Sequence, residues 1–483
     1  MSRVSWRGLL WTAVVAYAAA FSALSVLRHR AYNTGRFDLG NMVQAVWATA
    51  HGHPLRVTDL TGEQISRLGA HFDPILVVFA PFWRLWPSPD LLLVTQAVAV
   101  ALGAVPVYWL ARKHLHDDRT ALGFALAYLL YPATQWLVLN EFHPVAFACP
   151  LLLFAIWYLD EDRLVPFAIF ALVASTTKEE VPLVVAGLGI WYAISRRRWW
   201  TGGAIAAVGL VTALVLIQVV IPHFNPHGHS SFYGRYRHVG GSPAGVVKTL
   251  FTHPLRIAEA VFTGRNWSYL AELVLPLAAF GLLAPLMLVA TVPELAANLL
   301  SRVHTQASIH FHYTAAEIPV LVAASVLGAA WLARRRPSWT AALGIVVVAV
   351  ALAANFRLGP IPLWRELPGG SRLQSRDTYI SPHDRVAGRA LRLVPPDVVV
   401  SATNSLGAHL SDRRRILSFP LLSNATWVAV DETRASYLDS GNPVRSVLNI
   451  VRLRRSPDWQ LVFEEDGLLV FRRTRTSTRA PSA

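Results

Sequence analysis

Several apolar runs of roughly 18–22 residues leave this chain few ways to fold. A nearly charge-free run of that length crosses the hydrocarbon core as a helix, because there only hydrogen bonds within the segment can satisfy its backbone. Such runs lie near residues 9–27, 90–111, 120–139, 203–222, 270–292, 316–333 and 339–355, with shorter ones near 145–159, 164–177 and 181–195. Composition agrees: of 483 residues, 54% are hydrophobic and 15% charged, where soluble domains carry about 25% charge. The expected fold is a polytopic α-helical membrane protein with about 10–12 transmembrane helices. Soluble enzymes, disordered chains and DNA-binding modules are excluded.

The formal charge is +15, yet lysine occurs only at Lys113, Lys178 and Lys248. Arginine clusters between apolar spans set orientation and meet anionic head groups, so the basic excess points to membrane lipid and not to nucleic acid. With Arg3 and Arg7 inside, residues 112–119, 160–163, 195–200 and 334–336 are expected in the cytoplasm. Residues 28–89, 140–144 and 178–180 then face outside. The order Arg3, Arg7, apolar run imitates a secretory signal, but its length favours an uncleaved first helix. The one cysteine, Cys149, excludes an intramolecular disulfide. Residues 39–50 and 75–86 read as interfacial helices in the first outer loop. Between 223 and 316 the number of crossings stays open, with Pro276, Pro285 and Pro293 as expected breaks.

Three domains follow: a transmembrane domain over 1–356, a small extracytoplasmic α/β domain over 357–473, and a disordered tail over 474–483. In the second, residues 398–402, 415–419 and 427–431 read as strands and 443–455 as a helix. Residues 460–472 read as a hairpin turning at Asp466-Gly467.

Polar groups gather in the loops assigned to the outside. The first cluster is Arg36-Phe37-Asp38-Leu39-Gly40-Asn41. There Asp38 either caps the following helix or serves as a proton acceptor or cation-holding carboxylate. The second is His71-Phe72-Asp73-Pro74, the third Asn140-Glu141-Phe142-His143-Pro144, and the fourth Lys178-Glu179-Glu180. Later come His304, His310 and His312, and a histidine-rich segment with His223, His227, His229 and His238. Each group has a plain structural reading as a solvated loop or a bracing ion pair. Three acidic clusters on one side of the membrane nevertheless fit one cavity at the outer water–lipid boundary.

This order of motifs resembles the GT-C superfamily of integral-membrane glycosyltransferases. It looks most like a related family of bacterial predicted membrane proteins of unknown function. The resemblance rests on Phe37-Asp38-Leu39-Gly40, His71-Phe72-Asp73-Pro74, Tyr131-Pro132, Asn140-Glu141-Phe142-His143-Pro144 and Lys178-Glu179-Glu180, and covers residues 1–220 best. It implies a cell-envelope enzyme of the cell membrane, moving a sugar from a polyprenyl-phosphate donor to an extracytoplasmic acceptor. Asp38 would be the general base or metal-holding carboxylate, with Glu141 and His143 as further catalytic residues. Arg36, His71, Asp73, Lys178 and Glu179 would bind substrate. A divalent cation, Mg or Mn, is the alternative charge partner for the phosphate. A single Asp38-Leu39 stands where several GT-C families carry paired acids. The rival functions are a transporter or lipid flippase, with polar groups at mid-membrane depth, and a non-catalytic scaffold.

Overall fold

The computed structural model describes residues 5–225, 231–372, 377–434, 439 and 443–474. His227 and His229 lie outside these residues, as does the tail beyond Thr474. From the N-terminus the helices are α1 (Trp6–Arg30), α2 (Asn41–Ala50), α3 (Ala80–Leu85), α4 (Pro89–Leu102), α5 (Ala104–Leu115), α6 (Asp118–Leu130), α7 (Pro132–Leu139) and α8 (Ala148–Asp160). Next come α9 (Leu164–Ser175), α10 (Val181–Ser195), α11 (Trp199–Val215), α12 (Ile221–Phe224), α13 (Pro243–Thr252), α14 (Pro254–Val261), α15 (Gly264–Val274), α16 (Pro285–Leu288) and α17 (Val292–Leu300). The series ends with α18 (Glu317–Arg335), α19 (Thr340–Leu358), α20 (Pro382–Leu391), α21 (Asn404–Ala408) and α22 (Pro443–Arg455). Contacts divide the chain into two compact units.

The first unit comprises Met1–Ala23, Leu68–Ile75 and Val94–Ser375. Among the described residues of the whole chain, five helical segments are long and apolar enough to cross a membrane: Trp6–Arg30, Pro89–Leu115, Trp199–Phe224, Glu317–Arg335 and Pro337–Leu358. The pair α6 and α7 makes a sixth if counted as one span, bent by 44° where Pro132 cannot donate its backbone hydrogen bond. Residues 144–160, 164–175, 181–195 and 285–300 form shorter apolar helices. Burial sorts them. The best apolar window of α18 is 72% buried, so this helix is central, whereas that of the Trp199–Phe224 segment is 22% buried and turns its side chains outward. The 264–300 region is broken as its prolines predict, with Ala278 and Ala279 both at positive φ just after Pro276.

The helix pair α10 and α11 packs on small residues. A Cβ at Gly202 would lie 2.5 Å from the Ala193 backbone nitrogen, and one at Gly209 2.6 Å from the Pro182 carbonyl. Lipid supplies no hydrophobic drive between helices, so close backbone approach through small residues supplies the contact.

The second unit comprises Leu24–Arg67, Leu76–Leu93 and Arg376–Ala483. The C-terminal α/β domain therefore shares one compact unit with residues 24–67 and 76–93. A two-stranded hairpin, β1 (Arg56–Thr58) with β2 (Gln64–Ser66), precedes a five-stranded sheet. That sheet is built from β3 (Val400–Ala402), β4 (Ile416–Ser418), β5 (Trp427–Asp431), β6 (Trp459–Glu465) and β7 (Leu468–Arg473) in the order β4-β3-β5-β7-β6. Strands β4, β3 and β5 run parallel, and β7 and β6 add antiparallel. Alternate residues face two cores. Ala429, Leu468 and Val470 pack with Val386 and Ala390 of α20, while Val428, Val430, Leu469 and Phe471 pack with Ile450 and Leu453 of α22. The expected turn at Asp466-Gly467 is there, with φ of 51° and 75°, the left-handed pair that a two-residue hairpin needs.

Replacing Gly202 by Leu should separate α10 from α11, at about 1–3 kcal/mol for an overpacked contact. A lower unfolding midpoint in detergent is the expected result. Gly203→Ala is the control: an added Cβ there meets nothing within 4 Å, so its midpoint should not fall.

Candidate functional site

Within the first unit the polar motifs are built from three turns. The 140–143 turn is pinned by Gln96 of α4, which is fully buried. Its amide nitrogen donates to the carbonyls of Val138 (3.1 Å) and Glu141 (2.6 Å), and its oxygen accepts from the His143 N–H (2.9 Å). Glu141 takes up φ 56°, a left-handed conformation costing a non-glycine residue about 1–2 kcal/mol. The buried Gln96 bonds on either side hold it there. His143 Nδ1 bonds the Asn140 carbonyl at 2.8 Å, and its ring stacks on His312 with centroids 3.7 Å apart. His312 in turn touches Tyr313 (4.3 Å) and reaches the Asn140 side chain (3.4 Å). Burial, then the neighbouring His143 and Lys178, push His312 well below its ordinary value, so it stays neutral.

The 176–180 turn, between α9 and α10, meets the 71–73 segment. His71 Nδ1 lies 2.8 Å from one Glu179 oxygen, and the Phe72 N–H donates to the other at 3.0 Å. Burial alone raises the Glu179 carboxyl. His71, Lys178 and the Phe72 N–H outweigh it and hold Glu179 at about 2. Lys178 pairs with Glu180 and lies 5.5 Å over the Tyr313 ring. Its side chain is only 12% exposed. Burial disfavours its charge, but Glu180, Glu294 and Glu179 overcome that and keep it protonated.

Arg235 approaches the same ring: its Nη1 is 3.3 Å from Gln306 Oε1 and 3.5 Å from the Tyr313 hydroxyl. Behind it, Glu317 at the start of α18 accepts from the Tyr269 hydroxyl (2.7 Å) and the Asn298 amide (3.0 Å), while Asn298 also reaches the Tyr313 carbonyl (3.3 Å). His71, Glu179, Lys178, Tyr313, His312, His143 and Asn140 thus form one continuous contact chain. Asp73 is buried beside it in sequence.

Sequence reasoning missed Gln96, Glu294 and Glu317. Gln96 lies within α4, where a polar residue in a long apolar run was the available signal, while Glu294 and Glu317 lie in the first turns of α17 and α18.

The remaining two candidates belong to the second unit. Residues 36–40 form one π-helical turn against α21. Arg36 is buried, and its guanidinium donates to Ser418 Oγ (2.6 Å) and to the carbonyls of Thr58 (2.7 Å) and Ile416 (2.9 Å). Burial lowers it to about 10, still protonated at neutral pH. These bonds commit Arg36 to its own protein, and the position expected to bind substrate is occupied in bracing the loop. Asn404 Oδ1 accepts from the Phe37 N–H at 3.2 Å, and a Cβ at Gly35 would lie 2.5 Å from Asn404 Nδ2. Asp38 is half-buried on the same turn.

Metal binding fares differently. No group of three or more His, Cys, Asp or Glu among the described residues is arranged to hold a metal ion.

The family described as "Predicted membrane protein (DUF2079)" matches residues 28–470. The chain belongs to that family. No functionally curated protein matches this DUF2079 chain. Among solved structures it is similar to ArnT from Cupriavidus metallidurans bound to undecaprenyl phosphate, with a TM-score of 0.57 at 14% identity, over 95% of this chain and 97% of that one. The apo state of the same ArnT gives 0.52 at 14% identity, over 97% and 98%. The DUF2079 chain is therefore a multi-pass membrane protein with an ArnT-like, GT-C-like fold.

The depressed Glu179 gives a signed prediction. A carboxyl lowered by folding stabilises the protein above its unfolded value of about 4.3, and that stability is lost as pH falls towards 2. Glu179→Gln should lower the unfolding midpoint at pH 6–7, and the gap from the parent should close as pH drops from 5 towards 2.

Proposed function

We propose that this DUF2079 protein is a glycosyltransferase of the cell membrane that takes a sugar from a polyprenyl-phosphate donor and passes it to an acceptor outside the membrane. The observation that carries the reading is the buried cation Lys178, kept charged by three glutamates and flanked by Tyr313 and Arg235, in a chain whose fold resembles that of an undecaprenyl-phosphate-binding protein. A single lysine among Glu179, Glu180 and Glu294 leaves an excess of carboxylate that would disfavour an arriving phosphate. Glu180 is therefore assigned the place-holder's role: it pairs with Lys178 until the phosphate displaces it, its own carboxyl being raised by burial and so readily protonated.

In the transfer step the acceptor oxygen bonds to the anomeric carbon, and the bond from that carbon to the phosphate oxygen breaks. Charge grows on the departing polyprenyl phosphate, which Lys178 and Arg235 stabilise. The acceptor hydroxyl loses its proton to a general base, the role given to Asp38. Glu141 and His143 line the acceptor side, where the neutral His312 imidazole stacked on His143 offers hydrogen bonds without competing charge. His71 and Asp73 shape the wall through Glu179. Arg36 is assigned to holding the Asp38 turn and not to the phosphate. The second unit is placed on the outer face, as the arginine pattern predicts.

Replacing Asp38 by Asn keeps shape and removes the base. Transfer of radiolabelled sugar from membrane polyprenyl lipids should fall by about 10²–10⁴-fold, the usual worth of a positioned acid or base, with the protein still folded by gel filtration. Undiminished transfer would remove Asp38 from the mechanism.

A further inference from the structure

At the opposite end of α8 from the 140–143 turn, the first unit carries a groove that the proposed transfer does not use. Helix α8 has 13 residues, so the two lie about 20 Å apart along its axis. The groove has a volume of about 470 Å³ and is lined by Trp109, Arg112, Lys113, Trp157, Tyr158 and Arg163. Every charged side chain in that lining is basic. The nearby carboxylates pair with part of this charge: Asp118 binds Arg112 Nε (2.7 Å), and Asp160 binds His114 (2.9 Å), Arg196 (2.7 Å) and Lys113 (2.7 Å). Glu161 also reaches Lys113 (2.5 Å). Asp118 takes only the Nε of Arg112, and the two terminal nitrogens make no ion pair among the described residues. Arg163 lies 5.1 Å over the Tyr158 ring and makes no ion pair among the described residues.

The walls are aromatic. Trp109 meets Phe154 and Trp157, and Phe170 stacks on both Phe154 and Tyr158. Below the basic mouth, α9 turns Val165, Ile169 and Leu172 outward at 73%, 57% and 69% exposure. Tryptophan and tyrosine at the head-group level, arginine above and bare aliphatic surface below match one amphiphile with an anionic head and acyl chains. The arginine pattern assigns this end of the helices to the cytoplasmic side, where basic pockets between helices take anionic head groups.

We propose that this groove is a binding site for an anionic glycerophospholipid of the inner leaflet. The phosphate is held by Arg112 and Arg163, with Lys113 committed to Asp160 and Glu161; the head group lies against Trp109, Trp157 and Tyr158, and an acyl chain runs along the exposed face of α9. It is a structural lipid site, separate from the donor site around Lys178, and does not rest on the transferase reading.

Native mass spectrometry of the full chain released from nanodiscs of equal phosphatidylglycerol and phosphatidylcholine tests this. The parent should retain phosphatidylglycerol over phosphatidylcholine by about fivefold or more, the effect expected of one or more basic side chains near a lipid phosphate. The variant R112Q/R163Q should lose that preference. Because its substituted residues are exposed, it should elute and unfold as the parent does, and R334Q/R335Q, at the end of α18, should keep the preference. Equal retention of both lipids by the parent, an unchanged preference in R112Q/R163Q, or a preference lost equally in R334Q/R335Q would overturn the proposal. So would binding of soluble glycerol phosphate as tight as that of the lipid, or displacement of phosphatidylglycerol by polyprenyl phosphate from this groove.

Discussion

A lysine ammonium buried among carboxylates is the constraint around which the first unit is organised. Removing an ammonium from water costs several kcal/mol, and only well-placed opposite charge offsets that. Lys178 obtains it from Glu180, Glu294 and Glu179, which come from a tight turn and from α17. Those partners fix how the 176–180 turn meets α17, and the Tyr313 ring that covers Lys178 ties in the segment before α18. Glu179 then reaches out to His71 and the Phe72 amide, so the same knot orders the 71–73 segment. A buried charged cluster is weak evidence of stability in itself and a frequent mark of a functional site.

The second unit rests on a different device. Arg36 spends its guanidinium on two backbone carbonyls and a serine hydroxyl, and Asn404 receives the Phe37 amide. Small residues make this possible: a Cβ at Gly407 would stand 2.8 Å from Arg36 Cβ. The polar 36–40 segment is thereby held as one turn with Asp38 on it. The C-terminal domain works as its buttress, which explains why residues 24–67 and 376–483 share one compact unit.

Much of the architecture was legible from local signals. Except near 270–292, which its prolines break into short pieces, the long apolar runs appear as helices within a few residues of their expected ends, and 181–195 and 443–455 have the expected bounds. The Asp466-Gly467 turn and the strand at 427–431 were equally plain, because alternation and left-handed turn residues act over a few positions. The likeness to GT-C enzymes also held at the level of the fold. What could not be read were long-range pairings. Nothing local to Arg36 indicates that Ile416 and Ser418 will take its nitrogens, and a substrate role was the natural expectation for it. Gln96, Glu294 and Glu317 were hidden for the opposite reason: each belongs to a mainly apolar helix, and only the fold reveals which turn it faces. Helix α20 and the β1–β2 hairpin were missed because 382–391 and 56–66 are short and polar, without a sustained apolar period.

The central claim is that the Lys178 cluster receives the phosphate of a polyprenyl lipid, and photo-crosslinking tests it most directly. The parent protein in native membranes would be irradiated with a polyprenyl phosphate carrying a diazirine beside the phosphate, and the labelled peptides sequenced. Label is predicted in peptides containing Lys178, Arg235 or His312–Tyr313, and its loss on competition with unmodified polyprenyl phosphate. Label confined to the far ends of α5, α8 and α9, or scattered evenly over the lipid-facing helices, would contradict the account.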